Sequence, residues 1–121
     1  MTPFGQKLRE LREARGISLK SMAHAIGVSP AYLSALEHGR RSAPTWYLVQ
    51  RIITYFNVIW DEAEELERLA AVSRPKVSID TGGLSPVVTR AANLFAQNAD
   101  KLTEEEAEMI VRVFLSKHGA P

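Results

Sequence analysis

The sequence predicts an all-α fold, with five helices in residues 1–72, a connector over 73–84 and a two-helix extension over 85–121. Apolar residues recur at three- and four-residue spacing in separate stretches along the chain, the signature of helices buried on one side. A hydroxyl or acidic residue able to cap a helix precedes each stretch: Thr2, Ser18, Ser29, Thr45, Asp61, Ser85 and Thr103. Against these stands only a short β-branched alternation at Val77 and Ile79, inside a stretch with two prolines and a Gly-Gly pair.

Thr2 and Pro3 open the first helix, Phe4, Leu8 and Leu11 form its buried stripe, and Gly16 ends it. Ser18 caps a second helix with Met22, Ala23 and Ile26 on its apolar side, and Gly27 stops it, because glycine enters the left-handed conformation at little steric cost. Ser29 caps a third whose first residue is Pro30, where the missing amide hydrogen does no harm. Leu33 and Leu36 bury that helix on one side. Ala23 is small, as two helices crossing closely through so short a turn require. The stretch ISLKSMAHAIGVSPAYLSALEHG is thus in helix-turn-helix register. It leaves Pro30, Ala31, Tyr32, Ser34, Ala35 and His38 on a solvent face able to enter a groove of double-stranded DNA.

Thr45 caps a fourth helix in which Trp46, Val49, Ile52, Ile53 and Phe56 recur as core, and Asn57 closes it. Asp61 opens a fifth through Ala63, Leu66, Leu69 and Ala70, with Glu62, Glu64, Glu65 and Glu67 on a solvated face. After the connector, Ser85 and Pro86 start a sixth helix with Val87, Val88, Ala91, Leu94 and Phe95 on one stripe. Thr103 and Glu106 form a capping box for a seventh carrying Ala107, Ile110, Val111, Phe114 and Leu115. Two such helices cannot bury their stripes alone. We expect Val87, Val88, Ala91, Leu94, Phe95, Ile110, Val111 and Phe114 to form a homodimer interface; the alternative is a hairpin that caps the helical core.

From Phe4 to about Val72, three fifths of the chain, the sequence resembles the Cro/repressor-like (XRE) family of bacterial and phage regulators. FGQKLRELREARG is similar to the family's first helix and GRRSAPTWYLVQRII to its post-recognition loop and fourth helix. The resemblance implies a five-helix repressor-like domain that binds double-stranded DNA with the third helix in the major groove. It also implies an internal ion pair between Arg12 and Glu37; the alternative places both on solvated faces. The positions that read base edges in the family match Pro30, Ala31 and Ala35, none of which has a side-chain donor or acceptor. Apolar contact with thymine methyls, hydrogen bonds from Tyr32, Ser34 or His38, and readout of DNA shape remain. For Tyr32 the other reading is packing on the domain surface or a bond to phosphate. Lys20 and Ser21, in the first turn of the second helix, and Arg40 and Arg41, in the loop after the third, are the expected phosphate contacts.

The charge distribution fits this reading without deciding it. The net charge of +1 divides into eight lysines and arginines against three acids in residues 1–56, net +5, and seven against eleven in residues 57–121, net −4. No cysteine is present, so neither a disulfide framework nor a thiolate metal site is expected. No apolar run approaches the roughly 20 residues of a membrane span and MTPFGQKLRE has no signal-peptide core, so the expectation is a protein that begins as a mature cytoplasmic, nucleoid-associated one. His24, His38 and His118 lack ligand spacing, Gly82 and Gly83 stand alone, and Glu104, Glu105, Glu106 and Glu108 suit a helix start. No catalytic residue, metal or cofactor is expected. Two functions remain: a transcriptional regulator, most simply a dimeric repressor on an inverted repeat, or an antitoxin whose last helices bind a toxin while its first domain autoregulates. The capped, regular tail favours the first, since many toxin-neutralising segments are disordered and strongly charged. The acidic fifth helix is a candidate surface for RNA polymerase.

Overall fold

The computed structural model describes residues 1–41 and 44–117; Ser42, Ala43 and the last four residues, His118 among them, lie outside the described residues. The helices are α1 (Pro3–Ala14), α2 (Leu19–Ile26), α3 (Pro30–Glu37), α4 (Trp46–Phe56), α5 (Asp61–Ala71), α6 (Pro86–Asn98) and α7 (Glu104–Lys117), with a 3-10 turn (Ala99–Lys101) before α7. No strand occurs among the described residues, and Val77 and Ile79 belong to irregular chain. The chain divides into two compact units, Met1–Val77 and Ser78–Pro121.

In the first unit, local chemistry sets the helix ends. Hydroxyl oxygens of Thr2, Ser18, Ser29 and Thr45 accept from the amides of Gly5, Ser21, Tyr32 and Leu48 at 3.0 to 3.2 Å, satisfying donors that have no partner within the helix. Asn57 closes α4 in the left-handed conformation, φ 54° and ψ 37°. Helix α5 starts differently. Trp60 stands at its cap position with φ 53° and ψ −121°, a region hostile to bulky side chains, and makes no side-chain cap bond.

The core is one cluster: Phe4, Leu8 and Leu11 of α1, Met22, Ala23 and Ile26 of α2, Leu33 and Leu36 of α3, Leu48, Val49, Ile52 and Phe56 of α4, then Val58, Leu66 and Ala70. α3 packs on α1 and α2, α1 also meets α5, and α4 meets α2 and α5. Several residues depart from the expectation: Leu48 and Val58 join the core and Ile53 is only half-buried. Trp46 is 65% exposed and not core. At 100° per residue it lies about 100° from the centre of the stripe formed by Leu48, Val49, Ile52 and Phe56, and its ring meets Tyr47 edge-on at 5.2 Å. Ser73, placed in the connector, is buried. Its hydroxyl accepts from the Phe4 amide at 2.9 Å and donates to the Leu69 carbonyl, tying the end of α5 to the start of α1.

In the second unit, Ser85 caps α6 through the Val88 amide at 3.4 Å. Thr103 and Glu106 form the reciprocal box at the start of α7, at 3.1 and 3.0 Å. None of its described residues is buried.

Candidate nucleic-acid interface

The interface candidates depend on how α3 is presented. Gly27, at φ 79° and ψ 33°, ends α2 and turns the chain, and the Val28 amide donates back to Ala23 O at 3.0 Å. Arg51 of α4 donates Nη1 to the Ile26 carbonyl at 3.0 Å, satisfying an acceptor at the end of α2. Ala23 is fully buried where α2 and α3 cross. α3 buries Leu33, Leu36 and Glu37, which occupy an arc of about 100° on the helix. Ala31, Ala35 and His38 fall opposite, with Pro30 and Ser34 on one flank and Tyr32 on the other. Pro30, Ala31 and His38 are exposed; Tyr32, Ser34 and Ala35 are half-buried. The six residues expected to face a groove therefore share one side of α3.

Charged contacts from α1 hold the carboxyl end of α3. Arg12 donates Nε to Glu37 Oε2 at 3.1 Å and Nη2 to Oε1 at 3.3 Å, a two-pronged pair on a carboxylate only 1% exposed. Arg12 also donates Nη1 to the Ile17 carbonyl at 3.1 Å. Arg9 approaches the same carboxylate, Nε to Oε1 at 3.6 Å, and reaches His38 Nε2 through Nη2 at 3.5 Å. His38 Nδ1 lies 2.8 Å from the Ser34 carbonyl. A carbonyl only accepts, so Nδ1 carries the proton in that bond. Gly39 then takes φ 74°, and the Arg40 amide donates to Ala35 O at 2.8 Å, reversing the chain.

Sequence reasoning missed two residues in this arrangement. A Cβ on Gly5 would overlap the Glu37 carbonyl oxygen, so only glycine lets α1 and α3 approach so closely. The available signal was a glycine in the first turn of a helix, a weak helix former unless packing needs it. Arg9 shares the face of Arg12 at a spacing of three residues, which was the signal for a second guanidinium on Glu37.

Lys20 and Ser21 are exposed on the first turn of α2, where the helix dipole favours an anion. The Ser21 amide is occupied by the Ser18 cap, leaving its hydroxyl as the group available to a ligand. Arg40 and Arg41 are exposed beyond α3, with the Arg41 guanidinium carbon 5.7 Å from the centroid of the Tyr32 ring. On the acidic side, Glu65 lies 3.9 Å from Lys7, Glu64 lies 3.8 Å from Arg68 and Glu67 accepts from Gln50 at 3.3 Å. Among the described residues no three His, Asp or Glu side chains gather as a metal site, and no helix is long and apolar enough to cross a membrane.

A capped helix seated by one side on its predecessor across a left-handed glycine, with its other side open, defines a helix-turn-helix unit. Residues 3–67 match the family of helix-turn-helix domains, and the chain belongs to that family. It is 36% identical over 61 residues to the uncharacterized HTH-type transcriptional regulator RghRB of Bacillus subtilis, covering 50% of this chain and 44% of the relative. It is 40% identical over 62 residues to the HTH-type transcriptional regulator DdrOP3 of Deinococcus deserti, covering 51% and 48%. With the HTH-type transcriptional repressor RghR of Bacillus subtilis it shares 43% identity over 44 residues, covering 36% and 33%. The chain spans less than half the length of each of these three relatives. No solved structure matches it. These relatives agree with an XRE-like regulator fold.

Proposed function

We propose that this chain is a sequence-specific DNA-binding transcription regulator, acting as a repressor that occludes an inverted-repeat operator as a homodimer, with α3 in the major groove. The observation that carries the reading is the open side of α3: Ala31, Ala35 and His38 face away from the core, with Pro30 exposed on the flank, while Leu33, Leu36 and Glu37 fix the helix to it. Lys20, Ser21, Arg40 and Arg41 are the groups that grip phosphate; Pro30, Ala31, Ser34, Ala35 and His38 are the groups offered to bases, with Tyr32 on the flank beside Arg41. Action on chromosomal DNA places the protein in the cytoplasm.

The dimer is supported by α6 and α7, in which Val87 is 75% and Phe114 61% exposed, and Val88, Leu94, Phe95, Val111 and Leu115 are also uncovered. An apolar surface of this kind marks an interface, and a second copy doubles the base pairs read. Light scattering on the full chain and on a truncation after Val77 tests this, together with selection of bound duplexes from a random pool. A dimeric full chain, a monomeric truncation and a selected inverted repeat are expected. An equally dimeric truncation removes the tail from the interface. A monomeric full chain that purifies with a small partner protein supports the antitoxin reading instead.

A further inference from the structure

We infer that Tyr32 is a positioning residue and not a base reader: its ring is the platform that holds the Arg41 guanidinium against the DNA phosphates. This deepens the proposed DNA-binding function and rests on it. The guanidinium carbon lies 5.7 Å from the ring centroid, within the roughly 6 Å over which a cation is attracted to an aromatic face. The two partners differ in mobility. Tyr32 is half-buried and packed against the core, whereas Arg41 is exposed in the segment after α3. The ring therefore fixes the arginine.

The backbone brings the two together. Gly39 turns in the left-handed conformation and the Arg40 amide bonds back to Ala35 O at 2.8 Å, so the chain reverses beside α3 and Arg41 can lie along the first turn of the helix. At 100° per residue, Tyr32 sits about 90° from the arc centred on Ala31, Ala35 and His38, on the flank of the exposed side. In a helix laid into the major groove, the centre of that side meets the base edges and the flanks meet the phosphate walls. A guanidinium drawn to the ring keeps N–H groups for phosphate oxygens and has already lost much of its side-chain freedom before DNA arrives.

The test is a double-mutant cycle on the full chain, read by fluorescence anisotropy with a random-sequence duplex of about two helical turns between about 50 and 200 mM KCl. R41A should lower the slope of log affinity against log salt by about 0.9 per bound subunit. Y32L should weaken binding about two- to fivefold when Arg41 is present, the strength of an exposed cation–ring contact, and cost nothing further in the R41A background. Y32F keeps the ring, so the coupling to Arg41 should survive it. All variants are compared below the onset of their thermal unfolding. An unchanged slope in R41A, an equal loss from Y32L in both backgrounds, or loss of the coupling in Y32F overturns the platform. A wild-type chain that shows no salt-dependent binding to the duplex overturns the DNA-binding reading itself.

Discussion

Replacing Glu37 with glutamine probes the contact that fixes α3 to α1. The carboxylate is 1% exposed and faces Arg12 at 3.1 and 3.3 Å and Arg9 at 3.6 Å, with the arginine side chains 14% and 39% exposed. At 3.1 Å and an effective dielectric of about 20, the Arg12 attraction is roughly 5 kcal/mol, most of it offset by the desolvation of Glu37. The intact pair thus contributes little net stability, but a lone amide in its place sets N–H donors against guanidinium donors and leaves Arg12 without its counter-charge. Breaking a buried pair costs about 3 to 5 kcal/mol. The partial exposure of both arginines lets water screen the remainder, so E37Q should lose about 3 kcal/mol, at the low end. For a unit ending at Val77, total stability is of order 4 to 12 kcal/mol. The loss corresponds to a fall in melting temperature of roughly 12 to 24 °C. Urea unfolding of the full chain followed by far-ultraviolet circular dichroism measures it. A loss below about 1 kcal/mol would refute the argument and return both residues to the solvated-face reading. An E37L/R12M pair should recover part of the loss, because Arg12 is no longer stranded while Arg9, 39% exposed, still loses its contact with Glu37.

Other expectations follow from the same geometry. Gly5→Ala should destabilise the fold by at least 2 kcal/mol in the same urea assay, because its Cβ has no space beside the Glu37 carbonyl. Leu33→Ala, at a fully buried position, should cost about 2 to 5 kcal/mol. Ser29→Ala removes the cap on the Tyr32 amide and should cost about 1 kcal/mol while leaving the salt dependence of DNA binding unchanged. Arg40→Ala should do the opposite: an unaltered melting curve, with a salt slope reduced by about one unit per subunit.

The elements of the fold were legible because helix starts and stops are short-range chemistry. Ser18, Ser29, Thr45, Ser85 and Thr103 each lie one residue before a helix and bond an amide two or three residues inside it, a relation that sequence spacing carries in full. The open side of α3 was legible for a related reason, since the positions of Leu33 and Leu36 on a 100° spiral determine which residues lie opposite. What could not be read were contacts between elements distant along the chain. Ser73 lies 69 residues from the amide it satisfies. Trp46 falls at helical spacing from Val49 and Ile53, but Leu48 joins the core and shifts the buried stripe away from it. Gly5 is explained by the carbonyl of Glu37; its place in a helix marks a close approach, but not the element that makes it.

The same contacts bear on how a helix with so few donors would serve in the proposed recognition. Pro30, Ala31 and Ala35 offer only apolar surface, so under the proposed binding mode α3 would discriminate between base pairs by methyl contact and groove shape more than by paired hydrogen bonds. Such readout is weak per contact and sensitive to placement, and it gains from a helix whose position is fixed before DNA arrives. α3 is fixed at its start by Ser29, along its length by Leu33 and Leu36, and at its end by Glu37 between two arginines and by the close approach of Gly5. Under the proposed dimeric binding, rigid presentation and a second half-site would supply the selectivity that individual side chains lack. On that argument, E37R, which sets a third cation beside Arg9 and Arg12, should impair discrimination between selected and random duplexes in whatever fraction of the chain still folds. Equal discrimination by folded mutant and wild type would show that the anchoring of α3 is structural alone.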